Sequence, residues 1–230
     1  MNALEPALVV DGLTKRYGGV EVVANASFEL DSGSKTALLG PNGAGKSTLL
    51  GMLATLIKPN DGEAIIEGRS LRTNAPELRR TIGVLAHLPM LYEELSPLEN
   101  LRFFARLYGI DEAEARIEEL LRAVGLWRRR HEPTQVLSRG YHQRLALARA
   151  IVHRPRVLLL DEPETGLDPE GVALLDELVL GDPSVTVLAA THLVDRVSRW
   201  ADGIVRLDRG RVVEGRGSRA AGAITVGANA

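Results

Sequence analysis

Apolar positions follow different rhythms along this chain. Over residues 7–39 they come in short runs such as "ALVVDG" and "SFELDSG", closed by Asp-Gly or Ser-Gly. Short apolar runs cut by turn residues predict strands. The compact run "TALLG" at 36–40 predicts a further strand and leads straight into "PNGAGKSTLLGMLATLI". There Leu49, Leu50, Leu53, Leu56 and Ile57 recur at helical spacing. From Ser96 the pattern is helical. Ser96-Pro97-Leu98-Glu99 is a capping box with proline at the first helical position. Leu98, Leu101, Phe104 and Tyr108 then mark one face. A second helix is expected from Asp111 to Val124, with Ile117, Leu120, Leu121 and Val124 on its apolar side. Strands return in "RVLLLDEP" at 156–163 and "VTVLAAT" at 185–191, with a helix from Pro169 to Leu180 between them. "IVRLDRGRVVE" reads as a hairpin, and the closing "SRAAGAITVGANA" reads as a frayed tail.

Strand, glycine-rich loop, helix, helical stretch and strand again predict one mixed α/β body with a helical insertion. The core is expected over about 1–87 and 154–217, the helical part over about 88–153, and the tail over 218–230. The strands on either side of the insertion are too few to form independent cores, which argues against two domains.

Composition narrows the function classes. With 230 residues, 45% of them hydrophobic, the chain can bury a substantial core. A net charge of -2 gives no electrostatic case for a nucleic-acid partner. The absence of cysteine excludes disulfides, thiolate catalysis and cysteine metal sites. No apolar run approaches the ~18 residues of a membrane helix. The opening "MNALEPALVVDG" lacks the basic and apolar regions of a signal peptide. The expectation is a cytosolic protein whose membrane spans, if any are needed, come from another chain.

The chemistry is concentrated in a few stretches. Gly40-Pro41-Asn42-Gly43-Ala44-Gly45-Lys46-Ser47, followed by Thr48, fits the phosphate-loop pattern G-x-x-x-x-G-K-[ST]. Its glycines let backbone N–H groups curl around phosphate oxygens. The helix starting at Lys46 adds its positive end. Lys46 supplies a charge for the outer phosphates, and Ser47 can ligate Mg²⁺. Val157–Leu160 is an apolar strand ending in Asp161 and Glu162. Asp161 is placed to hold Mg²⁺, and Glu162 to orient or deprotonate a water. Alone, Asp161-Glu162-Pro163 reads equally well as the start of a loop. Beside a phosphate loop the catalytic reading wins. His192 ends a second apolar strand, from which it can reach a γ-phosphate.

Together these residues resemble the ATP-binding subunit of ABC transporters over about residues 7–215. "GPNGAGKST" is the phosphate loop, and "LLLDEPETGLDP" resembles the acid strand followed by the D-loop Thr165-Gly166-Leu167-Asp168. "ATH" matches the family's switch histidine at His192, and "LTKRYGG" puts Tyr17 where the family stacks an aromatic ring on adenine. "LSRGYHQRLALARAIVHRPRVLLLDEP" aligns without gaps to the signature motif, its helix and the acid strand. The resemblance implies a P-loop NTPase core of ABC type with an N-terminal antiparallel β-subdomain and an inserted α-helical subdomain. It implies ATP and Mg²⁺ as ligands and hydrolysis through Glu162. It further implies a second ATPase subunit facing the first as a homodimer, integral membrane subunits as partners, and peripheral attachment at the cytoplasmic membrane face. The membrane partner's groove would lie around 87–95.

Two stretches depart from the family. Where it places a glutamine that senses Mg²⁺ and water, this chain has His87. Where it has "LSGGQ", this chain reads "LSRGY", Leu137 to Tyr141. Ser138 and Gly140 are kept, so Ser138, Arg139, Gly140 and Tyr141 are expected to act on the partner's ATP, with Tyr141 serving packing more than contact. "VLAHLPMLYEELSPLENLRFFARLYG" resembles the ATPase of the haem exporter of cytochrome c maturation. The alternative is the ATPase of a drug, antibiotic or other ABC-2-type exporter. A soluble ABC protein acting on ribosomes or DNA fits less well, because the chain carries neither a second ATPase half nor long coiled coils.

Overall fold

The computed structural model describes residues 6–216. The tail expected at 218–230 lies outside them. Two sheets organise the described residues. The first is antiparallel, in the order β2 (Val20–Asp31), β1 (Pro6–Tyr17), β4 (Asp61–Ile66), β5 (Arg69–Ser70). The second has the order β10 (Arg211–Arg216), β9 (Gly203–Asp208), β3 (Lys35–Leu39), β8 (Thr186–Ala190), β7 (Val157–Asp161), β6 (Ile82–Leu85). Its five strands from β9 to β6 pair in parallel, and β10 returns antiparallel on β9 as the expected hairpin.

The apolar runs of β7 and β8 are continuous because both faces of this sheet are covered. Val157 and Leu159 of β7, with Leu188 and Ala190 of β8, join one core that includes Leu8, Leu13 and Ile66 of the antiparallel sheet. Helix α1 (Lys46–Leu53) contributes Leu49, Met52 and Leu53 to the same core. The alternate residues Leu158, Leu160, Val187 and Ala189 join a second core with the helices. That core takes in α3 (Pro97–Leu107), α4 (Glu114–Ala123), α5 (Arg139–Ile151) and α6 (Pro169–Leu175). The strand period of two thus sends successive residues into different cores.

The capping box at Ser96 is formed in full. Ser96 Oγ accepts from the Glu99 N–H, and Glu99 Oε2 accepts from the Ser96 N–H at 2.9 Å. The expected helix from Pro169 to Leu180 is α6 continued by one π turn, Asp176–Leu180.

Three expectations need correction. Asp11-Gly12 does not end a strand: β1 runs on to Tyr17. Gly12 takes a φ of +61°, and the pairing with β2 shifts register between Val10 and Leu13. An irregularity of this kind bends a strand without stopping it. Helix α1 ends at Leu53, although apolar spacing continues to Leu56 and Ile57. Thr55 turns left-handed at φ +61°, and the N–H groups of Leu56 and Ile57 both return to the Gly51 carbonyl. The helical-looking spacing of Ile57 therefore reflects a folded-back turn. Helix α4 starts at Glu114, after a turn in which Glu112 has φ +54°. The sequence pattern also passed over β4, β5, β6, α2 (Ala75–Thr81) and α7 (Val194–Trp200).

Candidate active site

Four chemistry-bearing stretches emerge at the carboxyl ends of the parallel strands. The phosphate loop follows β3, His87 follows β6, Asp161 closes β7 with Glu162 next, and His192 stands two residues past β8. Pairing aligns these ends: Leu38 lies opposite Ala190, Ala190 opposite Asp161, and Leu85 opposite Leu160. Crevices beyond the carboxyl ends of parallel strands are where open α/β sheets take their ligands.

The phosphate loop has no room for larger residues at its two ends. A Cβ on Gly40 would stand 2.2 Å from the Leu207 carbonyl oxygen, and one on Gly45 would stand 2.5 Å from that of Val22. Gly45 also takes φ +100° as the residue before α1. Lys46, almost fully buried, turns back over the loop and donates to the Gly40 and Pro41 carbonyls at 2.7 and 3.1 Å. No acidic residue of α1 itself sits in its first turn.

In front of this loop is a cavity of about 390 Å³. Lys46, Ser47, Thr48, His87, Asp161 and Glu162 line it, together with Asn42, Gly43 and Val22. Glu162 adopts φ +50°, a conformation that costs a non-glycine residue on the order of 1–3 kcal/mol. It is held there by its N–H to the Ala190 carbonyl at 2.8 Å and by Thr165, whose hydroxyl donates to Oε2 at 3.3 Å. His192 Nδ1 stands 3.4 Å from Glu162 Oε1. A carboxylate that lines the cavity is thus paired with an imidazole, and a lysine lines the same cavity. Such a set can orient a water and steady the charge on a phosphate.

Magnesium was expected at Ser47, Asp161 and His87. Among the described residues no three His, Cys, Asp or Glu side chains converge to hold a metal unaided. Mg²⁺ commonly takes only one or two protein oxygens and completes its shell with water and phosphate. Ser47 and Asp161, which line one cavity, fit that demand, and His87 lines the same cavity.

The "LSRGY" stretch begins α5. Ser138 is the N-cap, its Oγ accepting from the Tyr141 N–H at 3.4 Å. The exposed Arg139 lies against the D-loop of its own chain: a Cβ on Gly166 would meet its Nε at 3.2 Å. Arg139 and His142 share a cleft of about 80 Å³ with His87, Asp161, Glu162 and Thr165. Within one chain, then, Arg139 faces the carboxylate end of β7, a placement the sequence did not foresee. Tyr141 is packed against the helical core, with the guanidiniums of Arg129 and Arg144 5.5 and 5.7 Å from its ring. Arg144 anchors the D-loop, reaching Asp168 Oδ1 at 2.7 Å and Glu170 Oε2 at 3.1 Å. The Arg144 hydrogen bond, followed by that of the Gly171 N–H, holds the Asp168 carboxyl below its ordinary range. Asp168 also caps α6, and Leu167 packs inward.

Tyr17 does not line the cavity. It is half exposed at the end of β1, with Lys15 Nζ 5.0 Å from its ring. Pro41 and Ala44 shape the loop, the Ala44 N–H donating to the Pro41 carbonyl. Sequence reasoning missed Val22, which reaches the cavity from β2. It also missed Thr191, Glu164 and Arg196, a buried polar group behind His192. The second acid in "DEPE" was the available signal for Glu164; nothing local marked its partners.

Comparison with known proteins shows the family and the fold. The profile of the ABC transporter family matches residues 23–165. The chain is 40% identical over 207 residues to the uncharacterized ABC transporter ATP-binding protein YcbN of Bacillus subtilis (strain 168), covering 89% of this chain and 67% of that one. It is 38% identical to the daunorubicin resistance ATP-binding protein DrrA3 of Streptomyces coeruleorubidus, covering 91% and 67%. It is 35% identical to the bacitracin transport ATP-binding protein BcrA of Bacillus licheniformis, covering 88% and 67%. The chain thus spans about two thirds of the length of these relatives. A solved dimer of the ATP-binding cassette MJ0796 in a post-hydrolysis state with ADP and Pi superposes with a TM-score of 0.81 at 28% identity, covering 90% and 97%.

Proposed function

This chain belongs to the ABC transporter family as an ATP-binding protein, and from that membership we propose that it hydrolyses ATP to drive a membrane partner exporting a drug- or antibiotic-like molecule. One observation carries the hydrolytic part: Lys46, Ser47, Asp161 and Glu162 line one cavity, and His192 reaches Glu162 at its edge. Lys46 exchanges its two loop carbonyls for phosphate oxygens when nucleotide enters. Glu162 orients the attacking water and accepts its proton. His192 holds Glu162 through Nδ1–H, and in the imidazolium form its second N–H donates to the γ-phosphate. Ser47 and Asp161 would hold magnesium, which would neutralise charge on the outer phosphates.

The substrate class rests on the relatives. The loop-and-helix stretch 84–109 suggested haem export, whereas two of the relatives above carry drug and antibiotic names. They favour the drug-exporter alternative.

Two surfaces support the partners. An apolar hollow of about 250 Å³, with Leu50, Ile57, Val84, Leu88 and Met90 in its wall, opens beside the cavity. Leu88 is 72% and Leu107 64% exposed. This face, between the core and residues 88–153, is where the membrane subunit docks. Among the described residues no helix is long and apolar enough to cross a membrane, which fits attachment through such a partner at the cytoplasmic face. A second copy closes over the phosphate loop with its Ser138–Tyr141 stretch; that a solved relative is a dimer supports pairing of two copies.

Phosphate release by the purified full chain with magnesium and ATP tests the reading. No release, alone or with the membrane partner, overturns it. Deleting the gene separates the substrate classes. Raised drug retention with normal cytochrome c is the expected result; lost cytochrome c with normal retention would return the haem reading.

A further inference from the structure

Glu164 lies two residues beyond Glu162 and is not among the residues that line the nucleotide cavity. Its side chain is only 6% exposed. A carboxylate withdrawn from water needs partners, and Glu164 has two. The Thr191 hydroxyl donates to Oε2 at 3.3 Å, and Arg196 Nη1 stands 3.6 Å from Oε1. Arg196 is itself anchored, its Nη2 donating to both carboxylate oxygens of Asp176 at 2.8 Å. The chain of contacts links the loop after β7, the loop after β8, helix α7 and the π turn that follows α6.

The place of Thr191 gives this network its meaning. Thr191 immediately precedes His192 and is 2% exposed. Its hydroxyl also accepts from the N–H of Leu193, the residue after His192, at 3.0 Å. The histidine is therefore bracketed by one hydroxyl that uses both its donor and an acceptor position. The loop that presents Glu162 to the His192 ring presents Glu164 to the turn carrying that ring.

We propose that Glu164, acting through Thr191 and Arg196, is a positioning residue that sets His192 against Glu162. The inference rests on the reading of Glu162 and His192 as the hydrolytic pair. It predicts a defect in turnover without a matching defect in nucleotide binding, because none of the three residues lines the cavity shared by Lys46, Ser47, Asp161 and Glu162.

The test measures kcat and KM for ATP in the full chain, with affinity for a fluorescent ATP analogue and thermal unfolding alongside. Glu164→Ala and Thr191→Val should lower kcat about tenfold with KM within about twofold. Thr191→Ser, which keeps the hydroxyl, should retain wild-type kcat. In a His192→Ala background, Glu164→Ala should add less than about twofold. Wild-type kcat in both Glu164→Ala and Thr191→Val overturns the proposal. So does an equal loss from Glu164→Ala with and without His192. If Glu164→Ala does not fold, the Thr191→Val and Thr191→Ser pair decides the matter. Normal turnover in Glu162→Gln and His192→Ala would instead refute the underlying pair, an outcome distinct from failure of Glu164 alone.

Discussion

His192 Nδ1 lies 3.4 Å from Glu162 Oε1, and the two residues come from loops after neighbouring parallel strands. The register of β7 on β8 sets this meeting: Asp161 pairs with Ala190, and the Glu162 N–H extends the ladder to the Ala190 carbonyl. Glu162→Gln keeps the side chain's shape and loses its basicity. Phosphate release should fall at least about a hundredfold, while a fluorescent ATP analogue still binds. Undiminished turnover in this variant would remove Glu162 from the reaction.

Lys46 offers a second test. Its ammonium is buried against the Gly40 and Pro41 carbonyls, where arriving phosphate oxygens would compete for it. A charge-assisted hydrogen bond contributes about 1.5–3 kcal/mol. Lys46→Ala should therefore weaken nucleotide binding about tenfold or more, read by equilibrium titration.

Asn100 is fully buried in α3 and organises the loop leading to Ser96. Its Oδ1 accepts from the Tyr92 N–H, and its Nδ2 reaches the carbonyls of Tyr92, Leu95 and Ser96 and the Thr134 hydroxyl. Asn100→Ala strands these groups away from water. A loss of about 2–3 kcal/mol is expected in denaturant unfolding, with the exposed Leu88–Tyr92 face disturbed before the nucleotide cavity.

His153 makes stability depend on pH. It stacks on Tyr108 at 3.8 Å, and its Nε2–H donates to the Ile82 carbonyl. Burial pushes the imidazole down to about 4, the Ile82 bond opposing and Arg149 adding to the effect. Above the ordinary histidine value of about 6.5 both folded and unfolded chains are neutral here, and stability is full. As pH falls from about 6.5 toward about 4, the unfolded chain takes up a proton that the folded one refuses. Stability drops across that window by roughly 3 kcal/mol at most. In His153→Phe this part of the slope should vanish, so the variant's loss between pH 7.5 and about pH 5 should be smaller than the wild type's in denaturant midpoints.

Local features were legible from the chain alone. Gly40–Ser47 predicts a phosphate loop because its demands lie within eight consecutive residues, and the chain has a loop there between β3 and α1, with Lys46 folded back on its carbonyls. Ser96 and Glu99 predict a capping box because both partners lie within one helical turn. The continuous apolar runs of β7 and β8 predict buried strands, and two cores receive their alternate residues. Leu56 and Ile57 misled for the opposite reason. Their spacing continues the helix, yet a left-handed Thr55 folds them back. Apolar periodicity records which residues are buried and says little about how the chain turns to bury them.

The sequence by itself determined the family, the mixed α/β class and the identities of Lys46, Ser47, Asp161, Glu162 and His192 as candidates, because each sits in a short motif whose chemistry is local. Only the tertiary structure decided which of them meet. It put His192 on Glu162, turned Arg139 toward the D-loop of its own chain, left Tyr17 outside the cavity, and buried Glu164 beneath Thr191 and Arg196. These pairings depend on the register of parallel strands whose partners are far apart in the chain. Strand register is set by the packing of whole faces, which no short stretch of sequence contains.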